Sequence, residues 1–101
     1  EALEIMIKAN NIAPDVISIQ WNLGAVYANN GEYQKSIAAS KKALLLCGRD
    51  DPRIELNLAF CYFKLQEYDM AWRHVRRAER MGYPKASNLI KELKQVSKEP
   101  E

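Results

Sequence analysis

Hydrophobic residues recur at intervals of three or four over most of this chain, which is the spacing of one face of an α-helix. In the segment 19–47 two such stripes are separated by Asn30-Gly31, and in the segment 54–82 two more are separated by a break near Gln66. No segment shows a convincing alternation of apolar and polar residues, the pattern of a half-buried strand. With the shorter stripes at either end, the pattern predicts an all-α chain of about six helices.

The two segments are copies of each other, 35 residues apart. Seven positions are identical between them, where composition alone would give roughly two. The identical residues are Ile19, Asn22, Leu23, Tyr27, Glu32, Tyr33 and Ala43 in the first copy, and Ile54, Asn57, Leu58, Tyr62, Glu67, Tyr68 and Ala78 in the second. Repetition at this period is typical of units that stack, because one unit cannot bury its apolar face alone.

Breaks at proline and glycine divide the chain into predicted elements within one domain. We expect the second helix of a truncated repeat at 1–13, helical hairpins at 17–50 and 52–84, a C-terminal capping helix at 85–97 and a polar tail at 98–101. The residues of the capping helix expected to face inward are Leu89, Ile90, Leu93 and Val96.

Several residues are suited to helix ends. Pro52 and Pro84 lie where helices should begin, since the first helical turn needs no amide donor, and Asp51 is suited to cap the helix at Pro52. Gly31 can adopt the left-handed conformation that ends a helix, and Gln66 takes the equivalent place in the second copy. If both copies keep the same backbone conformation there, the glutamine lowers the stability of the fold by about 1 kcal/mol.

Both copies also carry a set of residues at fixed spacings. In the first copy they are Asn22, Leu23, Gly24, Tyr27, Gly31, Glu32, Tyr33 and Ala43, and in the second Asn57, Leu58, Ala59, Tyr62, Tyr68, Ala71 and Ala78. This set, which covers about residues 2 to 96 with its flanking helices, resembles the tetratricopeptide repeat. Departures from the family's pattern are Gln20 and Glu55 at its Trp position, and Ser36 and Ser40 at its alanine and Phe positions. The resemblance implies a right-handed α-solenoid of antiparallel helical hairpins, in which small residues let the helices approach closely.

The resemblance also implies a non-catalytic module that binds a peptide segment or helix of another protein in a concave groove. The groove residues would come from the first helix of each hairpin: Ser18, Trp21, Asn22, Ala25 and Asn29, then Arg53, Leu56, Asn57, Phe60 and Lys64. Asn22 and Asn57 could clamp a peptide backbone through their amides, or each could bond a neighbouring helix. Phe60 would be an aromatic anchor, and Arg53 and Lys64 would give the groove a positive rim.

The distribution of charged residues indicates a second candidate surface. The chain carries 15 Lys and Arg residues against 13 Asp and Glu residues, and a net charge of +2 exerts no strong pull on polyanions. Four arginines spaced three or four apart share one face of a predicted helix: Arg73, Arg76, Arg77 and Arg80. They could contact an acidic or nucleic-acid partner, although a solvated face is the simpler interpretation and nucleic acid is disfavoured.

No constellation of catalytic residues can be assembled from the sequence. The single histidine, His74, should lie solvated on the outer face of its helix beside Arg73, and no nucleophile pairs with it. Asp50-Asp51 lacks the further oxygen ligands that a hard cation needs. We therefore expect no enzyme activity, metal, cofactor or small-molecule substrate.

Little in the chain points to a compartment. Cys47 and Cys61 lie in different predicted helices, so two reduced thiols are expected, which slightly favours the cytoplasm. No stretch reads as a signal peptide or reaches the roughly 20 apolar residues that insertion across a membrane needs. The chain begins with Glu1, which suggests a segment of a longer protein and leaves the localisation open.

Self-association is the alternative function. The N-terminal helix lacks its own hairpin partner in this chain and carries an apolar stripe of Leu3, Met6 and Ile7. Such a stripe would either join copies of the chain or be covered by a native upstream helix.

Overall fold

The computed structural model describes residues 2–100, and the side chains from residue 3 onward. Over that range the chain forms six α-helices and no strands, which confirms the all-α prediction. The helices are α1 (Ala2–Ile12), α2 (Ile17–Asn29), α3 (Tyr33–Cys47), α4 (Pro52–Lys64), α5 (Tyr68–Arg80) and α6 (Ala86–Val96). Glu1 of the predicted first helix and Glu101 of the predicted tail lie outside the described residues.

The helices group into two compact units, an N-terminal unit of Glu1–Asp50 and a C-terminal unit of Asp51–Glu101. In the N-terminal unit α2 packs against both α1 and α3. In the C-terminal unit α5 packs against α4 and α6, and α6 also touches α4. Each unit therefore contains one of the two predicted hairpins together with one further helix.

Close contact between α2 and α3 depends on Gly24. A methyl group at this position would lie 2.9 Å from the Ser40 hydroxyl oxygen, and the Ser36 hydroxyl donates a hydrogen bond of 2.6 Å to the Gly24 carbonyl. Ser36 and Ser40 are fully buried. In the C-terminal unit Ala59 takes the equivalent position and is fully buried as well. Small residues at the helix contact thus let the backbones approach closely in both hairpins.

The turn within each hairpin has the same backbone geometry. Gly31 has a φ of +79° and Gln66 a φ of +62°, so the predicted left-handed position is present in both copies. In each turn an amide beyond the helix bonds a carbonyl five residues earlier: Glu32 to Tyr27 and Glu67 to Tyr62, both at 2.9 Å. These bonds pair amides beyond the helix with carbonyls of its last turn.

The start of α4 matches the sequence prediction. Pro52 is the first helical residue, and the Asp51 side chain accepts a 2.9 Å hydrogen bond from the Arg53 backbone amide. Pro84 does not begin a helix as predicted, because α6 starts two residues later at Ala86. Its carbonyl instead accepts bonds from the Ser87 amide and hydroxyl, within the turn that leads into α6.

Helix α6 covers the C-terminal unit with three of the four predicted residues. Leu89, Ile90 and Leu93 are buried, whereas Val96 is 51% exposed, so its assignment to the core was wrong. Val96 is the last residue of the helix, and no further turn follows to cover it.

Among the residues described, no helix has the length and apolar character that spanning a membrane requires.

Candidate protein-interaction surfaces

The five predicted groove residues of α2 share one accessible side of the helix. They are Ser18, Trp21, Asn22, Ala25 and Asn29, and we call them the α2 face. Trp21 and Ala25 are half-buried and the other three are exposed. The buried residues of α2 are different ones, namely Gln20, Leu23, Gly24 and Ala28. The α2 face is therefore the side of the helix that the core of the N-terminal unit does not use.

The five predicted groove residues of α4 are accessible in the same way. They are Arg53, Leu56, Asn57, Phe60 and Lys64, and we call them the α4 face. Leu56, Asn57 and Phe60 are half-buried, and Arg53 and Lys64 are exposed. The Lys64 ammonium lies 5.5 Å from the centre of the Phe60 ring and 6.0 Å from that of Phe63. The α4 face thus combines a partly open aromatic ring with an adjacent positive charge.

The positive rim expected at Arg53 is reduced by its neighbour. The Arg53 guanidinium donates hydrogen bonds of 3.3 and 3.1 Å to the two carboxylate oxygens of Asp51. This side-chain bond is the main reason why the pKa of Asp51 lies below its ordinary value of 3.8. Asp51 both caps α4 and accepts hydrogen bonds from the Arg53 guanidinium, so Arg53 takes part in the contacts at the start of this helix.

The four arginines of α5 (Arg73, Arg76, Arg77 and Arg80, the arginine face) are not uniformly solvated. Arg76 donates to Glu79 at 2.8 Å and, in two bonds, to Glu99 in the tail. These bonds raise the pKa of Arg76, with Glu99 the larger cause, and lower the pKa of Glu99. Arg77 lies 3.8 Å from a carboxylate oxygen of Glu55. The Glu99 contact has no signal in the sequence, because the partners are 23 residues apart and the tail is too short to show a pattern.

His74 is not solvated, and the prediction for it was wrong. The residue is 6% exposed, its Nδ1 lies 2.6 Å from the Glu55 Oε1, and its ring stacks on Tyr62 at 5.5 Å. The signal was present in the spacing, because residue 74 lies three residues after Ala71 and four before Ala78, on the buried stripe. The prediction that His74 lies on the outer face was based on the polarity of histidine alone.

Glu55 and Gln20 occupy equivalent positions in the two copies, and both are buried polar side chains. Gln20 donates to the Pro14 carbonyl at 2.8 Å and to the side chain of Asn10. It therefore ties α2 to α1 and to the loop between them. Glu55 instead joins α4 to α5 through His74. The tetratricopeptide repeat, which the chain resembles, carries Trp at this position. Here each unit has a hydrogen-bonded polar side chain instead, and its partners differ between the two units.

The apolar surface of α1 differs from the predicted stripe. Leu3 and Met6 are half-buried and Ile7 is 37% exposed, because α1 packs against α2. The most accessible apolar residues of this helix are Ile5 and Ile12, at 64% and 85% exposed.

The His, Cys, Asp and Glu residues are dispersed over the part of the chain that the structure describes. No group of three or more His, Cys, Asp or Glu residues there is arranged to hold a metal ion. Cys61 is buried, Cys47 is half-buried, and neither forms a disulfide within the described range.

No family model matches the chain, and no curated protein matches it. The resemblance to the tetratricopeptide repeat therefore stays a prediction. A function for the chain has to be inferred from the surfaces described above.

Proposed function

We propose that the chain is a non-catalytic protein-interaction module that binds a peptide segment or helix of a partner protein through the α2 and α4 faces. On this proposal the hairpins stack as in the tetratricopeptide repeat, in a right-handed solenoid whose concave groove these two faces line. The observation that carries it is a correspondence between the copies. All five α2-face positions are accessible, and so are all five positions 35 residues later on α4.

Accessibility at these positions is more than a general property of the two helices. The neighbouring pairs Gln20/Glu55, Leu23/Leu58 and Gly24/Ala59 are buried in both copies. The repeat therefore keeps one side of each first helix for the core and leaves the other side open. An open helix side that carries partly exposed aromatic and apolar residues is the usual feature of a surface that receives another protein.

The chemistry of the two faces suggests what each could contribute. The copies share Asn22 and Asn57, whose amides offer both donors and an acceptor to a peptide backbone. They differ where Phe60 and Lys64 replace Ala25 and Asn29, which makes the α4 face the more distinctive of the two. A ligand with an apolar side chain next to a carboxylate would suit Phe60 and Lys64, because aromatic anchors often dominate binding energy.

Selection from a random peptide library tests this proposal. We expect the chain to enrich a family of peptides, and Asn57→Ala with Phe60→Ala to weaken their binding at least tenfold, or by about 1.4 kcal/mol. The circular-dichroism spectrum should stay unchanged, since neither residue is fully buried. The matched control is Leu45→Ala with Asn88→Ala, which also removes one amide and one large apolar side chain, from exposed positions on α3 and α6. Equal retention of the peptides by both double variants would contradict the proposal.

Self-association is the second candidate, and the exposure of Ile5 and Ile12 favours it. These residues are seven apart on α1 and therefore lie on the same side of that helix. If copies of the chain associate through this side, light scattering should show a dimer at micromolar concentration that Ile5→Glu with Ile12→Glu abolishes. A monomer at all such concentrations would exclude this candidate.

A further inference from the structure

A pair of hydrogen bonds joins the arginine face to the tail that follows α6. Arg76 Nε donates to Glu99 Oε2 at 2.8 Å, and Arg76 Nη2 donates to Glu99 Oε1 at 2.6 Å. Two parallel bonds between a guanidinium and a carboxylate form the most specific geometry available to this pair. The guanidinium also lies 5.3 Å from the centre of the Trp72 ring. Arg76 is thus held in position by an aromatic side chain and presents its fork to a carboxylate.

The contact lies in a depression of about 340 Å³ on the surface of the C-terminal unit. Three arginines line the depression, Arg73, Arg76 and Arg80, together with Trp72. The tail contributes Glu99 and Pro100. Glu99 and Pro100 therefore form one side of the depression, and side chains of α5 form the other.

We propose that the arginine face binds a carboxylate side chain of an acidic segment of a partner protein at Arg76, and that Glu99 is an internal competitor for this guanidinium until the partner displaces the tail. This surface is separate from the α2 and α4 faces, so the inference does not depend on the proposed function.

Local charge favours a carboxylate over a phosphate or nucleic acid. Besides the three arginines, Asp69 lines the depression and Glu79 bonds Arg76 at 2.8 Å. With Glu99 displaced, the three arginines and Lys94, which also attracts the Glu99 carboxylate, face these two carboxylates and leave an excess of two positive charges. One or two carboxylates of a peptide segment neutralise that excess, whereas a polyphosphate backbone would bring further negative charge close to Asp69 and Glu79.

The Glu99 contact is suited to displacement. The side chains of Arg76 and Glu99 are 28% and 40% exposed, and ion pairs so open to solvent contribute little to stability. Residues 97–100 are not helical, so the tail can leave without unfolding α6.

The test is fluorescence anisotropy with a fluorescein-labelled hexaglutamate peptide at low salt. Removing the internal competitor by Glu99→Gln should tighten binding at least threefold, because a tethered group competes at an effective concentration on the order of millimolar. Glu92→Gln, an exposed glutamate on α6, changes the net charge equally and should have a smaller effect. Arg76→Gln should weaken binding at least tenfold, in the presence or absence of Glu99.

Two further variants keep the test decisive if Arg76→Gln disturbs the packing on Trp72. Arg73→Gln removes an exposed arginine of the depression and should weaken binding, while Arg49→Gln removes an exposed arginine outside it and should not. The proposal is overturned if Glu99→Gln and Glu92→Gln act alike, or if the Glu99→Gln variant shows no binding at millimolar peptide. Tighter binding of a short RNA than of hexaglutamate would also overturn it.

Discussion

Gln66 is the residue whose backbone conformation least suits its side chain. It is the one non-glycine residue with a positive φ in the part of the chain described, whereas the equivalent residue of the first copy is Gly31. A left-handed conformation costs a residue with a Cβ atom about 1–2 kcal/mol. The hydrogen bond from Glu67 to Tyr62 closes the same turn, so the fold keeps the geometry despite this cost.

We expect Gln66→Gly to stabilise the chain by up to about 1 kcal/mol, since the relief of strain exceeds the added entropy of glycine in the unfolded state. Urea denaturation would measure the gain. Gln66→Ala is the matched control and should give no gain, because alanine keeps the Cβ atom. A loss of stability in the glycine variant would show that the left-handed conformation of Gln66 is not strained.

The helices are held in place by hydrogen bonds at their ends and by polar contacts between neighbouring helices. Asp51 accepts from the Arg53 amide at the start of α4, and the bond between Glu55 and His74 joins α4 to α5 within the core. The first contact is at the surface and sensitive to acid. The second is buried, so its partners depend on each other.

At the start of α4, Asp51→Ala should cost about 1 kcal/mol through loss of the cap. Asp51→Asn should keep most of the cap but lose the attraction to Arg53. Because the folded-state pKa of Asp51 is lowered, its charge stabilises the fold above about pH 4, and this contribution is lost as the pH falls further. Denaturation at pH 7 and pH 3 should therefore show the wild type's advantage over Asp51→Asn shrinking in acid, and an advantage independent of pH would contradict this role.

For the buried pair, we expect strong non-additivity. His74→Leu leaves the Glu55 carboxylate without its nearest partner and should cost about 3 kcal/mol or more. Adding Glu55→Leu should restore much of the loss, because two packed apolar side chains need no hydrogen bond. A double-mutant cycle by urea denaturation measures the coupling, and additive losses would show that the two residues act independently.

At the scale of the whole molecule, the 35-residue repeat produces two open helix faces of unequal chemistry. The repeat preserves the pair Asn22/Asn57 and varies the pair Ala25/Phe60, so both faces carry an amide and only the α4 face carries phenylalanine. The arginine face adds a third surface whose central guanidinium is already engaged by Glu99.

The features that the sequence predicted are those set by local spacing. The helix pattern, the cap at Asp51 and the left-handed turn at Gln66 each depend on a few neighbouring residues. The features it missed are contacts between distant segments. His74 was misplaced because its polarity outweighed its position on the buried stripe, and its partner Glu55 is 19 residues away; the role of Glu99 depends on where the tail folds back.

The most direct test of the central claim is a map of backbone amide shifts by NMR when a library-selected peptide is added to the intact chain. We expect the largest shifts on the α2 and α4 faces, around Asn22, Asn57 and Phe60. The same peptide should cause no such shifts in the variant that carries both Asn57→Ala and Phe60→Ala. Shifts confined to α1, or to α5 and the tail, would contradict it.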